Sequence, residues 1–77
     1  MDAICGELTE LDRDRGTGYV QILGGEYRRI PCFFGTKLSR VAVQVFAGGL
    51  HQFLGNHVID GNDECFDVWE VVGISST

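Results

Sequence analysis

Residues 17–34 read Thr-Gly-Tyr-Val-Gln-Ile-Leu-Gly-Gly-Glu-Tyr-Arg-Arg-Ile-Pro-Cys-Phe-Phe, two runs of strand-forming residues separated by a pair of glycines. Branched and aromatic side chains favour strands, and a glycine pair between two such runs is a strong signal for a two-residue hairpin turn. We therefore predict strands over residues 17–23 and 27–34. Pro31 has no backbone N–H to donate, so its strand should be an edge strand or carry a bulge there.

The residues before this hairpin predict a third strand. Residues 4–11 show a partial alternation of apolar and polar side chains, which the charged run from Asp12 to Gly16 then ends. Residues 3–34 are therefore expected to form a three-stranded meander.

The residues after the hairpin also favour strands. Residues 35–39 are expected to form a loop or one helical turn. Residues 40–46 should be a strand, because valine alternates there with other residues. Gly55-Asn56 could close a further hairpin, residues 60–64 have turn chemistry, and residues 65–74 form the last predicted strand. Trp69, on that strand, is expected to pack in the core.

Five or six short strands joined by glycine turns predict an all-β protein. A closed barrel removes exposed strand edges, so the expected fold is a small barrel of the OB type, with an SH3-like barrel as the alternative. A chain of 77 residues has room for one core, so residues 1–77 are expected to form one domain. Because so small a core contributes only a few kcal/mol, the sequence is compatible with a monomer or a homodimer.

The cysteines and histidines do not predict a chemical site. Cys5, Cys32 and Cys65 are far apart and form no CxxC pair, which favours buried, reduced thiols in the cytoplasm. Together with His51 and His57 they lack the spacing of metal ligands, and no local motif places a nucleophile beside a base. We expect no metal, no cofactor, no catalytic residue and no enzymatic activity. No apolar run reaches the length of a membrane-spanning helix.

Charge is distributed unevenly along the chain. The net charge is −5, which opposes binding to a phosphate backbone, since that affinity comes largely from Lys and Arg. All six cations nevertheless lie between residues 13 and 40, whereas residues 41–77 carry five acids and no Lys or Arg. The fold is therefore expected to have one basic and one acidic face.

The opening third of the chain resembles a known family. Residues 6–20 read Gly-Glu-Leu-Thr-Glu-Leu-Asp-Arg-Asp-Arg-Gly-Thr-Gly-Tyr-Val. This is similar to the opening of a cold-shock domain, in which a glycine, a strand and a polar turn lead to Lys-Gly-aromatic-Gly-Phe-Ile. The glycines fall in register, Arg15 stands at the basic position, and Tyr19-Val20 stand at the apolar pair. The family's second motif, Phe-Val-His-Phe, would fall near residues 30–33, so the resemblance covers about residues 6–34.

The resemblance implies a five-stranded OB barrel that binds single-stranded RNA or DNA by stacking bases on aromatic side chains among basic residues. Tyr19 and Phe33 keep the aromatic character of that surface. Other stacking or polar positions of the family are changed in this chain, namely Glu10, Thr17, Ile30 and Cys32. Losing about three stacking positions, at roughly 1–3 kcal/mol each, would weaken binding considerably.

Two hypotheses of function follow. In the first, the chain binds single-stranded nucleic acid through Arg13, Arg15, Tyr19, Arg28, Arg29 and Phe33. In the second, the same barrel is an acidic adaptor or inhibitor that binds a protein, of the kind phage and mobile elements encode. Buried rings or dispersed arginines would remove the basis of the first hypothesis. The second hypothesis fits the net charge, and an acidic patch beside an exposed apolar strand, or a dimer through the last strand, would favour it.

Overall fold

The computed structural model describes residues 1–24, 28–46 and 48–73. Its elements are β1 (Asp2–Asp12), β2 (Thr17–Ile22), β3 (Arg29–Phe33), α1 (Ser39–Phe46), β4 (His51–Asp60) and β5 (Asp63–Gly73). The five strands close into a barrel in the order β1-β2-β3-β5-β4, with β4 paired back to β1. The predicted all-β barrel is confirmed, and the closed five-stranded arrangement is consistent with an OB-like fold.

The predicted meander of β1, β2 and β3 is also confirmed, since both neighbouring pairs are antiparallel. Ile22 N–H donates to the carbonyl of Arg28 (2.8 Å), which closes the β2–β3 connection. The expected Gly24-Gly25 turn and a strand start at Tyr27 fall partly on residues 25–27, outside the described residues. Pro31 pairs with Tyr19, while the parallel contact of β3 with β5 is confined to Cys32 and Phe33.

The core fills the barrel from all five strands and from one face of α1. Its buried apolar residues are Leu8, Val20, Ile30, Cys32, Phe34, Ala42, Val45, Phe53, Phe66 and Val68. Ala42 and Val45 are three positions apart, so they lie on the same side of the helix. The helix packs against β1 through this side.

The strand predicted for residues 40–46 is wrong, because these residues form α1. The alternating valines also satisfy a helical pattern: Leu38, Val41, Ala42 and Val45 follow the spacing i, i+3, i+4, i+7 that defines one helix face. All four are buried or packed against the core. Burial of this face therefore outweighs the preference of valine for strands, and the segment is helical.

The hairpin predicted at Gly55-Asn56 is wrong too, because β4 continues unbroken to Asp60 and the turn follows at Gly61, with φ of 62°. Gly55 instead faces a bulge. Leu54 pairs with Glu70 and Gly55 pairs with Val68, so the pairing of β4 with β5 skips Trp69 and β5 bulges at this residue. A Cβ at Gly55 would come within 1.9 Å of the carbonyl oxygen of Asp67, so the bulge requires glycine opposite it.

No helix within residues 1–24, 28–46 and 48–73 is long and apolar enough to cross a membrane.

Candidate nucleic-acid interface

The outer surface of β2 and β3 carries both aromatic side chains predicted to bind bases. On β2, Gly18 and Val20 are buried and Tyr19 is 40% exposed. On β3, Cys32 is buried and Phe33 is 49% exposed. Phe34 is buried at 3%. The alternation of strand side chains thus separates the two exposed rings from the core ring beside them.

Tyr19 and Phe33 border one cleft. The cleft has a volume of about 300 Å³, and its outer wall includes Thr17, Pro31 and Cys65 beside the two rings. Tyr19 lies opposite Pro31, and Phe33 lies opposite Thr17. The cleft floor is therefore the barrel wall itself, and its rims are apolar and aromatic.

Arg29 lies at the Tyr19 end of this cleft. Its guanidinium carbon is 5.6 Å from the centre of the Tyr19 ring, within the range of a cation–π contact. Its Nη1 is also 3.4 Å from Oε1 of Glu10 on β1. Arg29 is thus shared between the Tyr19 ring and the carboxylate of Glu10, which partly neutralises its charge.

Arg13 and Arg15 lie at the Phe33 end, in the loop between β1 and β2. They line a second cleft of about 240 Å³ together with Phe33, Gly35 and Thr36. Arg15 is highly exposed, and its Nε is 3.9 Å from Oδ2 of Asp12, a weak surface pair.

Hydrogen bonds fix the shape of this loop. Asp12 Oδ1 accepts from the backbone N–H groups of Asp14 (3.1 Å) and Arg15 (3.3 Å). Gly16 adopts φ of 67°, and its carbonyl accepts from Phe34 N–H at 2.7 Å. The loop is therefore tied to the end of β3, which holds its arginines beside Phe33.

Arg28 differs from the other predicted site residues. Its guanidinium donates to Oε2 of Glu64 on β5, whereas the neighbouring Arg29 turns to β1. His57 Nε2 lies 2.6 Å from the same Glu64 oxygen. The hydrogen bond from Arg28, followed by that with His57, lowers the pKa of Glu64 below its usual value. Arg28 therefore joins β3 to the β4–β5 hairpin. Of the other predicted residues, four line the two clefts and Arg29 lies over the Tyr19 ring.

Two residues of this surface were assigned wrongly from the sequence. Trp69 was expected in the core, but it is 56% exposed. Cys65 was expected to be buried, but it is exposed, whereas Cys32 is buried and Cys5 half-buried. Burial raises the pKa of the Cys32 thiol to about 12. The alternation with the buried Phe66 and Val68 was the signal that places Cys65 and Trp69 outside.

Trp69 borders a third cleft. This cleft, of about 430 Å³, is formed with the β3–α1 connection and includes Gly35, Thr36 and Lys37. Gly35 and Thr36 also line the cleft at Phe33, so the two clefts meet there. Lys37 was not among the residues that the sequence singled out.

Other surfaces offer less specific chemistry. An open cleft of about 980 Å³ lies between the β1–β2 loop and α1, where Arg13 and Arg40 are mixed with Asp12 and Asp14. Within the described ranges, no three His, Cys, Asp or Glu side chains converge on a position that could hold a metal ion.

Comparisons of the chain with protein-family models, with curated proteins and with solved structures find no match.

Proposed function

We propose that this protein binds single-stranded RNA or DNA across the outer face of β2 and β3. The observation that carries the proposal is the joint exposure of Tyr19 and Phe33 on one cleft, with arginines at both ends. Base–aromatic stacking contributes roughly 1–3 kcal/mol per base, and it requires exposed rings of this kind. The face formed by strands 2 and 3 and the loop between strands 1 and 2 is also where OB folds bind oligonucleotides.

The sequence argument supports the same surface. Both rings and Arg15 fall in the segment that resembles cold-shock domains, so we propose a divergent relation to that family. The free thiols of the three cysteines fit a reducing compartment such as the cytoplasm.

Charge sets the expected strength of binding. Glu10 and Asp12 already pair with Arg29 and Arg15, and the chain carries a net charge of −5. Stacking must therefore supply much of the affinity, and the phosphate contribution should be small at moderate salt. Binding should be weak to moderate, with little preference among base sequences.

The test is a fluorescence-anisotropy titration of labelled oligothymidylate and oligouridylate at low salt. Tyr19→Ala and Phe33→Ala should each weaken binding about 5- to 150-fold, which corresponds to one lost stacking contact. Phe46→Ala is the matched control, because this ring on α1 is exposed to a similar extent (46%) away from the clefts. Equal losses in all three variants, or no binding by the native protein, would contradict the proposal.

A second candidate function, binding of a basic protein segment, rests on the β4–β5 hairpin. Ile59 is 68% exposed and Val58 is 38% exposed, next to the acidic Asp60 and Asp63 at the turn. An apolar strand with acidic neighbours fits a partner with basic and apolar side chains. If neither oligonucleotide binds, titration of a basic amphipathic peptide against the native protein and Ile59→Ser tests this candidate.

A further inference from the structure

Three exposed aromatic side chains lie on adjacent strands of the barrel wall in a regular order. Tyr19 on β2 pairs with Pro31, and Phe33 lies two residues further along β3. Phe33 in turn pairs with Asp67, and Trp69 lies two residues further along β5. Each step therefore moves one strand across and two residues along in the same direction. The three rings are 40%, 49% and 56% exposed, in that order. We call Tyr19, Phe33 and Trp69 the aromatic row.

Each ring of the aromatic row has a cation at its side. Arg29 lies over Tyr19 at 5.6 Å, Arg13 and Arg15 share a cleft with Phe33, and Lys37 shares a cleft with Trp69. The three clefts are neighbours on the surface, because Phe33 lines the first and second, while Gly35 and Thr36 line the second and third. A strip of alternating rings and cations matches a polymer of alternating bases and phosphates.

We infer that Trp69 and Lys37 form a third base-binding position, which continues the path of the bound strand from Tyr19 through Phe33 onto β5. This inference rests on the proposed function. Lys37 neutralises the phosphate beside the base that stacks on Trp69. The position fixes the direction in which the strand crosses the barrel, from β2 towards the β3–α1 connection.

The spacing of the aromatic row defines the form of the ligand. Strands lie ~4.8 Å apart and rise ~3.3 Å per residue, so successive ring positions are about 8 Å apart at Cα. Stacked nucleotides advance only about 3.4 Å per residue of one strand. The bases therefore unstack from one another, and each stacks on its own ring. This spacing excludes a duplex and requires an extended single strand.

Asp67 is the opposing charge on this path. It pairs with Phe33 across the β3–β5 contact and is half-buried on the outer side of β5. Its carboxylate lies where the strand passes from Phe33 to Trp69, so it repels phosphate there. Asp67→Asn should therefore tighten binding of oligonucleotides long enough to reach Trp69, with little effect on shorter ones.

The chain contains a single tryptophan, so its intrinsic fluorescence reports on this position alone. Oligothymidylates from a dinucleotide up to about eight nucleotides are titrated against the native protein. Anisotropy of the labelled oligonucleotide and Trp69 emission are followed in parallel. A dinucleotide should favour Tyr19 and Phe33, because Asp67 repels a phosphate placed between Phe33 and Trp69. Trp69 emission should therefore change mainly when a third base is present.

Substitutions of Trp69 separate aromatic stacking from simple packing. Trp69→Phe should keep most of the affinity, whereas Trp69→Leu, which keeps apolar bulk without a ring, should lose about 5- to 150-fold. Lys37→Ala should weaken binding of the longer oligonucleotides and leave the dinucleotide unaffected. Arg28→Ala removes an exposed cation that pairs with Glu64 and lines none of the three clefts, and it serves as the matched control.

The outcomes distinguish the two proposals. Binding that depends on Tyr19 and Phe33, with unchanged Trp69 emission and full affinity in Trp69→Leu, would overturn the third position and leave the proposed function standing. Absence of binding at every length would overturn both.

Discussion

The guanidinium carbon of Arg29 lies 5.6 Å from the centre of the Tyr19 ring, on the outer face of the barrel. The same guanidinium reaches Glu10 through Nη1, at 3.4 Å from the carboxylate oxygen. A phosphate beside a base on Tyr19 would have to compete with that carboxylate. The cation of Arg29 is thus held at the site and partly neutralised there.

Replacement of Glu10 by Gln should therefore strengthen oligonucleotide binding. The substitution frees Arg29 and removes a negative charge beside the bound strand. Exposed ion pairs of this kind contribute roughly 0.2–1 kcal/mol, so the expected gain is about 1.5- to 5-fold in affinity at low salt. Anisotropy titration measures it. Asp60→Asn, at the far hairpin turn, makes the same change in net charge, and an equal gain in both variants would mean that Arg29 is not involved.

The salt dependence of binding should identify which arginines contact phosphate. Each phosphate contact on a single strand contributes about −0.7 to the slope of log affinity against log salt. Arg13→Ala and Arg15→Ala should each make the slope shallower by about that amount. Arg28→Ala should leave the slope unchanged, because Arg28 is bound to Glu64 on β5. Titrations at several salt concentrations check this, and a shallower slope in Arg28→Ala would place that residue in the interface after all.

The glycine opposite the β5 bulge should be essential to the fold. In Gly55→Ala, the new Cβ would meet the carbonyl oxygen of Asp67 at 1.9 Å, and neither backbone can retreat within the barrel wall. Overpacking of this kind costs about 1–3 kcal/mol or more of unfolding free energy. Gly73→Ala is the control in the same strand pair, since its Cβ would meet nothing within 4 Å. Urea unfolding compares the variants, and equal midpoints would contradict the close approach at Gly55.

The sequence predicts the strands correctly where short turn motifs separate them, and it fails where the apolar pattern fits both a strand and a helix. The meander of β1 to β3 follows from charged and glycine turns, which act on the chain within a few residues. Residues 40–46 fit both a strand and a helix pattern, and only burial against β1 selects the helix. The role of Gly55 depends on a bulge in β5, and the residues around Gly55 in the sequence give no indication of that bulge.

The candidate site was predictable to a similar degree. Tyr19 lies between Gly18 and Val20, so its exposure follows once Val20 is buried, and Phe33 follows in the same way from Cys32 and Phe34. The pairing of Arg28 with Glu64 joins residues 36 positions apart and depends on the closure of the barrel. Side-chain pairs between residues far apart in the sequence therefore cannot be predicted from the local pattern, even where the residue types are suitable.

Cys65 should report occupancy of the cleft between Tyr19 and Phe33, because its exposed thiol lies in the wall of that cleft. Thiol reagents attack the thiolate. Burial raises the pKa of Cys32 to about 12, so at pH 8 this buried thiol stays protonated and should react only after unfolding. In a Cys5→Ser background, a disulfide reagent should therefore modify Cys65 alone in the native state.

Increasing concentrations of oligonucleotide should slow the modification of Cys65. The decrease in rate should follow the fraction of protein bound, as measured by anisotropy in the same samples. The expected protection arises because Pro31 and Cys65 line the cleft together with both rings, so a strand that stacks on the rings covers them. Phe33→Ala should abolish the protection together with the binding. Undiminished labelling of Cys65 at full saturation would mean that the oligonucleotide binds elsewhere on the barrel, whatever its affinity.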